Sequence, residues 1–110
     1  MIKNLLKETI ECLNEHGKQT SDVLWVGRKY FNYQTKEYVS YKNTWDNFCL
    51  NANFMYDAGY GGNEIPMDLK VVGKDFWLER HEYDGSEWWE FKTIPTEPEE
   101  VRDIDLKEHW

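Results

Sequence analysis

Three histidines, two cysteines and 21 carboxylates are the clearest candidates for chemistry in this 110-residue chain. His16, His81 and His109 fall near a helix end, on a strand and in a tail, and none belongs to a CxxC, HxxxH or EF-hand spacing. The loops that carry Asp57, Asp84 and Glu87 could gather an ion, yet with no ligand motif among them neither a metal nor a cofactor is expected. Nucleophilic catalysis needs a Ser, Cys or Thr beside a positioned base. Ser86 lies in an exposed turn, and Cys12 and Cys49 fall on apolar stripes, where a free thiol acts as a small hydrophobe. His81 could serve as a base, but only Glu90 across a strand pair would orient it, and a surface histidine salt-linked to a carboxylate is the plainer reading. Paired carboxylates of the glycosidase kind carry little information among so many acids. Gly59-Tyr60-Gly61-Gly62 is no phosphate loop: no Lys-Ser or Lys-Thr follows it and no strand-to-helix turn frames it. The chain does not read as an enzyme.

The elements that position these residues follow from apolar spacing. Ile2, Leu5, Leu6, Ile10 and Leu13 share one face of a helix over residues 2–16, with Gly17 as its stop. Residues 22–27 form a short apolar run rich in β-formers, read as a largely buried central strand. Residues 30–33 and 37–41 make a hairpin. Thr44 caps a second helix, in which Trp45, Phe48, Cys49 and Ala52 recur at three and four. Strands over 69–72, 76–83 and 88–93 complete a C-terminal meander. Its last turn admits two registers. A two-residue Asp-Gly loop opposes Glu79 to Glu90 and Glu82 to Glu87, whereas a four-residue loop pairs Glu79 with Lys92 and His81 with Glu90. Cross-strand pairs contribute about 0.2–1 kcal/mol each and like charges oppose pairing, so the longer loop is favoured. Either register puts Phe76, Leu78, Trp89 and Phe91 on the core face. The fold class is α+β: a small antiparallel sheet of four to six strands packed against two helices. Residues 1–95 form one domain and 96–110 an acidic tail, from which Val101, Ile104, Leu106 and Trp110 dock weakly.

Net charge is −8 and the acid surplus begins after residue 45. Such a field repels nucleic acid and anionic membrane and favours basic partners. Residues 28–33 (RKYFNY) interleave two cations with aromatics, like a stacking platform for single strands, but two charges are thin and direct nucleic-acid contact is not expected. The first residues run straight into a mixed polar and apolar helix, so no signal peptide is expected. No apolar run approaches the roughly 18 residues that span a bilayer. A cytoplasmic protein with reduced thiols follows. What remains is the outer face of the last hairpin: Trp77, Glu79, His81, Tyr83, Trp88, Glu90 and Lys92. Exposed Trp and Tyr among acids suit a docking face for a basic protein surface.

Four segments carry a resemblance: DVLWVG at 22–27, WDNF at 45–48, YDAGYG at 56–61 and DFWLERHEYDGSEWWEFK at 75–92. They resemble a family of small proteins carried by phages and prophages of low-GC Gram-positive bacteria, over residues 5–95. Residues 30–43 and the tail are less typical, and the family brings no functional residues with it. The resemblance implies a context. Small acidic phage proteins without enzymatic motifs often switch off host defences, anti-CRISPR proteins among them, by occupying the positively charged channels of Cas9-type effectors. The leading expectation is therefore a phage-derived acidic inhibitor that binds a basic, nucleic-acid-handling defence protein in the host cytosol. Its partner-binding residues would be Asp57, Tyr60, Glu79, Glu82, Asp84, Glu87 and Trp88. One alternative is a small enzyme or sequestering protein acting on a nucleotide-type defence signal, around the Asp57 loop and His81. Another is a phage accessory or assembly homodimer held by the exposed aromatics.

Overall fold

The first residues are extended. Strand β1 (Ile2–Asn4) pairs antiparallel with β4 (Met55–Asp57) and leads directly into α1 (Leu5–Glu15). The helix expected over 2–16 thus loses its first turn, because Asn4 is its cap: the backbone is extended there and the side chain accepts the Lys7 N–H. At the other end Gly17 adopts φ +73°, its N–H donating to Asn14 and that of Lys18 to Leu13, the paired bonds of a Schellman stop. The computed structural model describes residues 1–59 and 61–107. Tyr60, expected in the binding set, and His109 and Trp110 of the tail lie outside the described residues.

The strand expected at 22–27 and the hairpin arm at 30–33 are one ten-residue strand, β2 (Val23–Asn32), returning as β3 (Glu37–Asn43). Only Val26 and Gly27 of β2 are buried, and Leu24 is exposed, so the strand is less enclosed than its composition suggests. Helix α2 (Trp45–Ala52) has the expected cap, Thr44 accepting the Asn47 N–H. After β4 come β5 (Lys70–Gly73), β6 (Phe76–Tyr83) and β7 (Ser86–Thr93). The five-stranded sheet runs β3-β2-β5-β6-β7, every neighbour antiparallel, with β1-β4 as a separate pair. This is the expected α+β class.

The last turn takes the register that like-charge pairing disfavoured. Tyr83 pairs with Ser86, leaving Asp84 and Gly85 at φ +50° and +84°, the primed two-residue turn that Asp-Gly prefers. Glu79 faces Glu90 and Glu82 faces Glu87. Neither pair is a bare repulsion, for reasons given below. The alternation places Phe76, Leu78 and Trp89 in the core with Phe91 half-buried behind them, as expected. Val26, Val71 and Leu78 continue this face across the sheet, and Leu5, Leu13 and Ala52 of the helices cover it. Cys12 is buried there and Cys49 half-buried, both as free thiols. Residues 94–107 form neither helix nor strand, and Val101, Ile104 and Leu106 are 80% or more exposed, so the docking expected of these three residues does not occur.

Gly73 shows how tightly the core closes. A Cβ there would meet the buried Phe76 ring at 2.0 Å, and relieving such overpacking costs about 1–3 kcal/mol. Gly73→Ala is expected to lower the urea midpoint accordingly. Gly62→Ala, whose Cβ meets nothing within 4 Å, is expected to stay within about 0.5 kcal/mol of the parent.

Candidate binding face

Because residues in register across a sheet share a face, the side of the sheet away from the helices can be read row by row. One row is Trp25, Val72, Trp77 and Lys92; the next is Lys42, Gly27, Lys70, Glu79 and Glu90. Lys29 sits opposite Ser40 and His81 opposite Trp88. No helix packs on this side. It presents four lysines against two glutamates, so the acidity of the chain as a whole does not describe it.

The β6-β7 half of the face is a closed set of partners. Glu79 accepts the Trp77 indole N–H at 2.7 Å and lies 2.9 Å from His81 Nε2. Glu90 accepts the Trp88 indole N–H at 3.2 Å and lies 3.1 Å from Lys92 Nζ and 3.3 Å from His81 Nε2. The imidazole thus bridges the two carboxylates that the register sets against each other. Trp77 above all, then His81 and Lys70, holds the Glu79 carboxyl below its ordinary range, and Lys92 followed by Trp88 does the same for Glu90.

The β2-β3-β5 half is different. A cleft of about 480 Å³ opens around Gly27, lined by Trp25, Lys29, Lys42 and Lys70 and by the Arg28–Asp68 pair. Arg28 engages Asp68 through two bonds of 3.0 Å, which neutralises the one carboxylate present. Lys29, Lys42 and Lys70 are exposed and make no ion pair among the described residues. A Cβ on Gly27 would lie 2.7 Å from the Tyr41 carbonyl oxygen and 2.8 Å from the Trp25 ring. Only glycine lets that ring lie against the strand. No motif marked this site in the sequence; the usable signal was Trp25 two residues before Gly27 on a strand, with lysine at 29.

The expected binding residues do not form one surface. Glu79 and Trp88 lie on the open face, their polar atoms already engaged. Glu82 and Asp84 are exposed at the hairpin tip. Asp57 turns its own loop, accepting the Gly59 N–H and pairing with the Met1 amine at 3.0 Å; these contacts, the Gly59 bond first, lower its pKa. Glu87 is a correction. Its side chain is 1% exposed and bonded to Arg80 at 2.9 Å, and it accepts the Glu64 and Ile65 N–H groups, so it offers nothing to a partner. Arg80 itself, fully buried, was missed. The signal was parity, which puts Arg80 inward with Leu78 and Glu87 inward with Trp89.

Among the described residues no three His, Cys, Asp or Glu side chains gather as a metal site, and no helix is long and apolar enough to cross a membrane. No protein-family model, curated protein or solved structure matches the chain.

The depressed carboxylates set a pH dependence. Their folded-state pKa values lie below the ordinary glutamate value of 4.5, so their contribution is complete above that value and is lost as pH falls through the depressed ones. Glu79→Gln with Glu90→Gln is expected to flatten the fall in melting temperature between about pH 5 and pH 3. An unchanged acid limb would show that the bridged set contributes nothing.

Proposed function

We propose that this protein is a non-catalytic binding protein that takes up and sequesters a nucleotide-type anion on the open face of its sheet. The observation that carries the reading is the one-sided sheet. Both helices pack on one face, and the other presents Trp25, Trp77 and Trp88 beside Lys29, Lys42, Lys70 and Lys92. Indole planes stack on ring systems and ammonium groups pair with phosphates. Net charge −8 opposes a long polyanion that would run over the acidic tip and tail, but not a ligand the size of the lysine cluster.

The reactive groups favour binding over turnover. Burial, with Glu15 and Glu8 adding to it, pushes the Cys12 thiol up to about 11, so it stays protonated near neutrality. His81 contacts two carboxylates, and among the described residues no hydroxyl or thiol hydrogen-bonds to it. Titration with ATP, GTP and a cyclic dinucleotide, followed by tryptophan fluorescence, is expected to give saturable quenching by at least one of them. Phosphorus NMR is expected to return that ligand unaltered. No saturable change with any of the three would contradict the proposal, and release of a phosphate product would make the protein an enzyme.

A second reading has its own support in Glu82 and Asp84, which are exposed at the hairpin tip and make no ion pair among the described residues. On that reading the protein is a phage-derived inhibitor that offers carboxylates to the basic channel of a nucleic-acid-handling host protein. Glu82→Lys with Asp84→Lys would then weaken binding to a purified Cas9-type effector and reduce its salt dependence. Equal affinity of parent and variant across salt would remove it.

A further inference from the structure

Resting on that reading of the face, we infer that the ligand is a free nucleoside di- or triphosphate and that it seats in the Gly27 cleft, its ring on Trp25 and its phosphates among Lys29, Lys42 and Lys70. The two halves of the face are not equivalent. On β6 and β7 the carboxylates of Glu79 and Glu90 would repel a phosphate, and Lys92 is already paired. Around Gly27 the Asp68 carboxylate is taken by Arg28, the Glu79 opposite Lys70 is bonded to Trp77 and His81, and Lys29, Lys42 and Lys70 form no ion pair among the described residues.

That vacancy of counter-charge calls for a cause. The chain holds 21 acidic residues, yet Lys29 and Lys42 form no ion pair among the described residues, and Lys70 faces a Glu79 already bonded to Trp77 and His81. Like charges on neighbouring strands are unfavourable unless an anion joins them. Lys42 and Lys70 flank Gly27 in register on either side. With strands about 4.8 Å apart, their Cα atoms stand about 10 Å apart, a span that two long side chains close onto one di- or triphosphate. Lys29 follows on the same face two residues along β2. Gly27 contributes no side chain, so the Trp25 ring lies against its backbone and forms the floor between the lysines.

Size points to a single nucleotide. A cleft of about 480 Å³ falls within the roughly 300–1,000 Å³ of small-molecule sites. A polymer that left it toward β6 and β7 would run over Glu79 and Glu90, where the field opposes phosphate. The occupant is therefore a compact anion with a ring.

Calorimetric titration with four probes separates the possibilities: ATP, adenosine, tripolyphosphate and a twelve-residue thymidine oligonucleotide. The proteins compared are the parent, Trp25→Ala, Trp25→Phe, Lys42→Ala, Lys70→Ala and Trp77→Phe with Trp88→Phe, each checked for a parental melting transition. ATP is expected to bind more tightly than any other probe. Each lysine substitution is expected to weaken ATP about tenfold and leave adenosine unchanged. Trp25→Ala is expected to weaken both about tenfold or more, with Trp25→Phe restoring most of the loss. The Trp77 and Trp88 substitutions are expected to weaken ATP less than Trp25→Ala does. ATP binding that ignores the cleft substitutions but follows Trp77 and Trp88 would overturn the cleft and keep the sheet-face function. Tripolyphosphate equal to ATP and indifferent to Trp25 would reduce the site to a simple anion patch, and tighter oligonucleotide binding would replace the occupant with a polymer. No binding of ATP to the parent would overturn the site.

Discussion

The guanidinium of Arg80 is buried with no exposure at all, and five segments of the chain are arranged to make that tolerable. Glu87 of β7 takes one nitrogen at 2.9 Å, the Tyr56 hydroxyl of β4 lies 3.0 Å away and Glu8 of α1 lies at 3.5 Å. The Trp89 and Tyr56 rings stack on it at 4.8 and 5.6 Å. Arg80 alone would not balance two carboxylates, so Lys3 Nζ approaches Glu8 at 3.8 Å, the Tyr56 hydroxyl donates to Glu8, and the Glu64 and Ile65 N–H groups donate to Glu87. Burial, then the Glu8 bond, pushes the tyrosine pKa up and keeps that hydroxyl a donor. Breaking such a set leaves uncompensated charge and costs about 3–5 kcal/mol. A domain this size holds only about 5–15 kcal/mol in all. The network decides whether α1, the loop after β4 and the last hairpin stay docked together.

It also decides which side of the sheet is free. With the charge paired inside, though Arg80 Nε itself has no hydrogen-bond partner among the described residues, both helices close on the inner face, where Trp89 donates to Thr9 and Phe91 stacks on Phe76 and His16. The outer face then keeps whatever the alternation assigns to it. On β6 and β7 that is a self-satisfied patch of indoles, carboxylates and one imidazole. On β2, β3 and β5 it is a set of lysines around a glycine. An acidic protein thus carries a cationic hollow, because net charge sums over surfaces that a ligand meets separately.

Much of the fold was legible because it rests on local rules. The α2 cap at Thr44, the Gly17 stop and the core parity of Phe76, Leu78 and Trp89 are all written within a few residues. β1 was not, since three residues cannot show a period and their partner lies more than fifty positions away. The hairpin register was misjudged for an instructive reason. Treating Glu79, Glu82, Glu87 and Glu90 as bare surface charges left out Arg80, which neutralises Glu87, and His81, which joins Glu79 to Glu90. The Asp-Gly turn preference was the better guide. The Gly27 cleft was hidden for the same kind of reason, because Lys42, Gly27 and Lys70 meet only through strand register.

Whether the open face binds, and where, is tested most directly by indole N–H resonances in nitrogen-15-labelled protein as ATP is added. Trp25 borders the hollow, Trp77 and Trp88 lie on the same face with their N–H groups bonded to carboxylates, and Trp45 and Trp89 pack against or within the core. The expected result is a saturable shift of the Trp25 resonance with Trp45 and Trp89 unmoved. Shifts led by Trp45 or Trp89, or no shift at saturating ATP, would contradict a binding site on the open face of the sheet.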